Sequence, residues 1–166
     1  APHKNVYRLL EAFRSFLQQS SLKYQLVLIG HSATDEMQSD FHDLIEHGSV
    51  IFTGYVSEEI KIAYFHHAYA YVFPSLYEGF GLPALEAQSS RLPLLCSKSA
   101  SLPEVAGEGA LYFDAEDVSS ITDALSKIGD NESLRAELIS KGRDNLKRFS
   151  WGKCAKETVD LLLSKC

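Results

Sequence analysis

Five short runs limit what this chain can fold into: Leu26-Val-Leu-Ile-Gly30, Val50-Ile-Phe-Thr53, Ala70-Tyr-Val-Phe73, Pro93-Leu-Leu-Cys-Ser97 and Ala110-Leu-Tyr-Phe113. Each is apolar along its length and does not alternate, so each reads as a strand buried on both faces. Helical patterns separate them. Val6, Leu9, Leu10, Phe13 and Leu17 predict an amphipathic helix over residues 5–19. A polar helix is expected over 35–47, and Ser57 caps another reaching about His67. Pro83 stands where a helix opens and runs to about Arg91. Ser101-Leu-Pro-Glu104 has capping-box spacing before a short helix. Three helices close the chain, near 117–128, 131–147 and 151–164.

Strands alternating with helices predict an α/β fold, a Rossmann-like doubly wound parallel sheet with helices on both faces. Such a half-fold opens on a strand central to its sheet, whereas this chain opens on a helix. The expectation is therefore a first strand supplied from upstream of Ala1.

Composition closes off other classes. At 166 residues, 45% hydrophobic and 23% charged, the chain is sized for one globular domain. Its net charge of -6 argues against a nucleic-acid partner. Cys96, Cys154 and Cys166 are odd in number and unevenly spaced, which fits a reduced compartment better than a disulfide framework. No spaced His/Cys cluster suggests a metal, and His66-His67 reads as a surface pair. No run approaches the ~18 apolar residues of a membrane-spanning helix.

The chemistry concentrates between Phe73 and Gln88. Ligands of open parallel sheets sit beyond the carboxyl ends of the strands, so the turn Ser75–Leu82 lies on that rim. Gly79 and Gly81 let backbone approach a ligand closely. Gly81 and Leu82 lead into a helix start, where free N–H groups favour an anion such as a diphosphate. Glu78 and Glu86 flank this seat and would repel phosphate if they pointed inward. They make sense if each accepts from hydroxyls at opposite ends of a ligand, as in a nucleotide-sugar. The plainer alternative is a capped turn, with Glu86 in the first helical turn where any acid is favoured.

Glu78-Gly-Phe-Gly-Leu-Pro-Ala-Leu-Glu86 closely resembles the E-x7-E signature of the family 4 retaining glycosyltransferases (glycosyltransferase group 1). Lys4-Asn5, Val50-Ile-Phe-Thr-Gly-Tyr-Val56, Phe73-Pro-Ser75, Ser101-Leu-Pro-Glu-Val105 and Phe149-Ser-Trp151 resemble further landmarks of that family, in order along the chain. The resemblance implies one half of a GT-B fold: the carboxyl-terminal, donor-binding domain over residues 1–166, without the amino-terminal acceptor domain. It implies retaining transfer of a hexose from a nucleotide-diphosphate sugar to a glycan or lipid-linked acceptor, with no metal or other cofactor. Very similar glutamate segments in bacterial polysaccharide mannosyltransferases make GDP-mannose the first donor expected and a UDP-hexose the second.

By the same resemblance, Glu78 orients the donor sugar and Lys4 neutralises the departing diphosphate. The N–H groups of Phe80, Gly81 and Leu82 hold the sugar end and distal phosphate, and Glu86 holds the ribose. Gly30 and the turn Gly54, Tyr55 and Val56 border the base. The family pairs the lysine with an arginine on a preceding loop, which is not in this sequence; the isolated chain is expected to be inactive. A cytoplasmic location is expected, compatible with peripheral association of the full protein at the inner membrane face. The alternatives are a non-catalytic nucleotide-sugar-binding module of the same fold, or an unrelated doubly wound domain such as a flavodoxin-like or phosphorylase-like one.

Overall fold

The computed structural model describes residues 2–164; the third cysteine, Cys166, lies outside them. After a 3₁₀ turn at Pro2–Lys4 come α1 (Val6–Gln19), β1 (Leu26–Ile29), α2 (Asp35–Asp40), α3 (His42–Glu46) and β2 (Val50–Gly54). These are followed by α4 (Glu58–His67), β3 (Tyr71–Phe73), α5 (Leu82–Ser89), β4 (Leu94–Ser97), α6 (Leu102–Ala106) and β5 (Ala110–Phe113). Helices α7 (Val118–Gly129), α8 (Glu132–Leu146) and α9 (Trp151–Leu163) complete the chain. Every strand pairing is parallel, in agreement with the doubly wound class read from the sequence.

The strands form two groups, β1–β2 and β3–β4–β5. Strand β4 is central to its group and buried at all four positions. Its successive side chains feed opposite cores, because strand residues alternate between faces. Leu95 joins Leu10, Phe13 and Ile121 on the side of α1 and α7, while Leu94 and Cys96 join Ala84, Ala87 and Leu102 on the side of α5 and α6. The β1–β2 register skips a residue, pairing Leu28 with Phe52 but Ile29 with Gly54.

Helix ends follow their local chemistry. Ser57, Asp117, Asn131 and Ser150 each accept a backbone N–H at the start of a helix. The polar helix expected over 35–47 is instead two, α2 and α3, broken at Phe41. Phe41 leaves helical geometry at φ -120 so that its ring can enter the core, where it is 1% exposed. There it meets the edge of Tyr7, with centroids 5.0 Å apart, and the guanidinium of Arg14 at 4.7 Å. Helix α5 also stops short of the expected Arg91, which adopts a left-handed φ of 57.

Candidate functional site

The site is built on the loop between β3 and α5, at the carboxyl rim of the sheet. Lys4 reaches it from the start of the chain. Asn5 explains how: with a left-handed φ of 57, its buried amide donates to Pro74 O at 3.1 Å and Ala115 O at 2.6 Å. Leu76 N also donates to His3 O at 2.8 Å. These bonds pin residues 3–5 against the segment that follows β3. Lys4 Nζ then lies 2.7 Å from Glu78 Oε1, with the two side chains 36% and 16% exposed. Burial pushes the Glu78 carboxyl up, but the hydrogen bond from Lys4 and the Lys4 charge outweigh it and hold the carboxyl below its ordinary range. The acid is therefore ionised at neutral pH and stays next to a cation.

The glycine turn has a brace that the sequence did not reveal. The spacing predicts Ser101 as a cap for α6, but its side chain makes no cap bond. Its hydroxyl lies 2.9 Å from Glu78 O and 2.9 Å from Phe80 O and donates toward both carbonyls. In a trans peptide the C=O and the next N–H point opposite ways. Fixing these two carbonyls toward α6 turns the N–H groups of Gly79 and Gly81 away from it. No described residue accepts a hydrogen bond from the N–H of Gly79, Phe80, Gly81 or Leu82. Gly81 is the N-cap of α5 at φ 104, and a Cβ there would come within 2.6 Å of Leu102 Cδ2. Only glycine suits that position. The ring of Phe80 is half exposed and meets Phe149 edge-on, 6.0 Å between centroids.

Glu86 is not in the first turn of α5, which carries no acid; it comes in the second. The helix-start preference for acids therefore does not explain it. It is 46% exposed and lies 3.7 Å from Lys61 Nζ, which Glu58 also holds at 2.9 Å.

Gly30 and Gly54 belong to the other strand group. Gly30 N donates to Gly54 O at 2.9 Å, and Gly54 N to His31 O at 2.9 Å, so the two glycines and His31 form one rim at the ends of β1 and β2. Tyr55 is 94% exposed beside it, and Val56 follows. Sequence reasoning missed His31, although it directly follows the rim glycine. Burial, with the positive charge of Lys4 adding to it, keeps its imidazole below its ordinary pKa and favours the neutral ring. Lys4, His31, Ser75 and Glu86 all line one cavity of about 940 Å³. The structure thus joins Lys4 directly to Glu78, leaves Glu86 paired with Lys61, and sets Gly30 and Gly54–Val56 on the opposite strand group. Among the described residues no three His, Cys, Asp or Glu side chains gather as a metal site.

The comparisons with known proteins agree with this architecture. The chain is 34% identical over 163 residues to the O-antigen chain mannosyltransferase B of Escherichia coli, covering 96% of this chain and 42% of that protein. It is 32% identical to the MMP alpha-(1->4)-mannosyltransferase of Mycolicibacterium hassiacum, covering 95% and 39%. The chain therefore spans about two fifths of the length of these relatives. Among solved structures, TarM superposes with a TM-score of 0.81 at 20% identity, over 97% of this chain and 33% of that one. The sucrose-phosphate synthase of Thermosynechococcus elongatus gives 0.79 at 24% identity, over 99% and 43%. These likenesses establish the fold, the Rossmann-like architecture of one half of a GT-B protein. No helix among the described residues is long and apolar enough to cross a membrane. The family model for glycosyl transferases group 1 matches residues 1–145, and the chain belongs to that family.

Proposed function

We propose that this chain is the donor-binding half of a retaining hexosyltransferase that uses a nucleotide-diphosphate sugar, with GDP-mannose the first candidate and a UDP-hexose the second. The observation that carries the reading is the Lys4–Glu78 pair standing beside a turn whose N–H groups are turned outward by Ser101. The mannosyltransferase relatives support the choice of sugar. A TarM structure solved in complex with Fondaparinux, alpha-GlcNAc-glycerol and UDP shares the fold at a TM-score of 0.80.

In this reading the diphosphate occupies the turn and accepts from the N–H groups of Gly79, Phe80, Gly81 and Leu82. Lys4 has three N–H donors, so it can keep Glu78 and still reach a phosphate oxygen. Its charge stabilises the diphosphate as the bond to the sugar breaks. Glu78, held ionised, accepts from sugar hydroxyls and orients the ring; it positions the sugar and does not attack it. Glu86 takes the ribose hydroxyls, with Lys61 steadying its carboxylate. Gly30 and Gly54–Val56 border the base. No metal is given a role: Lys4 supplies the positive charge. The acceptor, a glycan or a lipid-linked glycan, is assigned to a partner domain across the cleft, and the isolated chain transfers no sugar.

Calorimetric titration of the full gene product with GDP, UDP and ADP, each free and as its hexose conjugate, tests the proposal. One nucleotide should bind, and its hexose conjugate should bind more tightly. A protein that binds none of the six would refute it, as would sugar transfer catalysed by residues 1–166 alone.

A further inference from the structure

Gly30 turns the chain out of β1 at a left-handed φ of 76, and His31 follows it. The His31 carbonyl accepts from Gly54 N at 2.9 Å, which fixes its backbone on the rim formed by β1 and β2. The residue is half-buried and lines the same cavity as Lys4, Ser75 and Glu86. Other histidines use their rings locally. Nδ1 of His42, His47 and His67 lies 3.3, 2.6 and 2.8 Å from a carbonyl three or four residues earlier in the chain. The His31 ring makes no hydrogen bond to any described residue. Ser75, 1% exposed, carries a hydroxyl in the same wall that is also without a hydrogen-bond partner among the described residues. Buried polar groups left so mark a place whose polar partner is not part of the fold.

The other cations of this site are already engaged. Lys4 Nζ is 2.7 Å from Glu78 Oε1, and Lys61 Nζ is 2.9 Å from Glu58 and 3.7 Å from Glu86. Two positive charges therefore stand against three negative ones. Each phosphate of a nucleotide-diphosphate sugar adds a further negative charge to a site already short of positive charge. Strands β1 and β2, Leu-Val-Leu-Ile and Val-Ile-Phe-Thr-Gly, contribute no charged side chain. The acids that open α2, Asp35 and Glu36, are exposed and do not act on the His31 ring. His67 also lines the cavity, but at the end of α4 that leads into β3, away from the carboxyl rim. His31 is thus the cavity-lining group at that rim that can still gain a positive charge. Burial and the Lys4 charge favour its neutral ring. An anionic phosphate beside it acts the other way, because a nearby opposite charge favours the charged form.

We propose that His31 binds the diphosphate of the donor and that its ring takes up one proton from solvent as the diphosphate arrives. The inference rests on the nucleotide-sugar reading of the site. Both ring nitrogens donate once the imidazole is charged. His31 then holds a phosphate from the rim of β1 and β2, while the N–H groups of the glycine turn hold it from the loop between β3 and α5. Binding becomes coupled to pH. Affinity falls as pH rises through the range in which the bound ring is charged and the free ring is neutral, by up to about tenfold per pH unit.

Calorimetry of the full gene product near neutral pH, with GDP-mannose and with UDP-glucose, counts the protons when each titration is run in two buffers of different ionisation enthalpy. The diphosphate of these compounds is esterified at both ends and does not titrate near neutrality, so any uptake belongs to the protein. The compound that binds should bring uptake of about half a proton or more. Its affinity should fall several-fold as pH is raised by about two units from slightly acid. His31→Gln keeps a hydrogen-bond donor but cannot be charged. It should abolish the uptake, flatten the pH dependence and weaken binding about 10-fold or more. Binding without proton uptake in the parent protein would overturn the inference and leave the nucleotide-sugar reading standing. Uptake that persisted unchanged in His31→Gln would overturn it as well. Binding of neither compound, at any pH, would overturn the nucleotide-sugar reading and this inference with it.

Discussion

At the scale of single residues, the site depends on Lys4 holding a carboxylate. Against the opposing effect of burial, Lys4 lowers the pKa of Glu78. A carboxyl lowered on folding contributes stability above its unfolded pKa and loses it as pH falls through the folded value. Lys4→Ala should therefore lower stability at pH 7 by about 1 kcal/mol or less, since the pair is partly exposed. The gap from the parent should narrow as pH falls below the ordinary glutamate range. Urea unfolding at a series of pH values checks this; a gap that widened in acid would contradict it. Ser101→Ala should cost about 1 kcal/mol of stability. It should also weaken nucleotide-sugar binding, because the turn loses its brace. Unchanged binding would remove Ser101 from the site. The sequence made Glu78, Gly81 and Lys4 legible, because a glycine turn after a strand and the signature around it are local patterns. It hid Ser101, whose capping-box spacing is equally local but whose hydroxyl is used on carbonyls 21 and 23 positions away in the chain.

At the scale of elements, the loop is held by the helices behind it. Gln88 of α5 donates to Ala106 O at 2.8 Å, and Asn145 of α8 donates to Gln88 Oε1 at 2.9 Å and Val105 O at 2.8 Å. Arg148 in turn donates to Asn145 Oδ1 at 2.8 Å. This buried amide network ties α5, α6 and α8 together, and removing one member strands the others. Asn145→Ala should lower stability by about 2–3 kcal/mol, read from denaturant midpoints. A loss under about 0.5 kcal/mol, the scale of an ordinary surface substitution, would show the network to be idle. Gly81→Ala should cost about 1–3 kcal/mol through its left-handed φ and the clash with Leu102. Element types were readable from periodicity, and the start of α4 from its capping Ser57. The break at Phe41 was not, because the helical pattern over 35–47 is polar and a single aromatic turning into a distant core leaves no local trace.

At the scale of the whole molecule, the parallel class followed from strands apolar on both faces, and the site's place followed from the rim rule for such sheets. The pairing of strands within each group could not be read from periodicity, since it depends on which edges meet. Helix α9 stands apart from both cores: its described residues are exposed, and Trp151 is 80% so. In residues 1–166, acrylamide should quench the single tryptophan nearly as well as free indole; a shielded indole would contradict this placement.

The central claim is that the two acids have separate duties, Glu78 at the sugar and Glu86 at the ribose. Calorimetry on the full gene product and its two alanine variants tests it most directly, using the preferred nucleotide with and without its hexose. Glu86→Ala should weaken free nucleotide and conjugate alike, by about 10- to 100-fold for lost bonds to a charged group. Glu78→Ala should leave the free nucleotide within about twofold and weaken only the conjugate, by a similar 10- to 100-fold. Equal loss of nucleotide affinity in both variants would contradict the assignment.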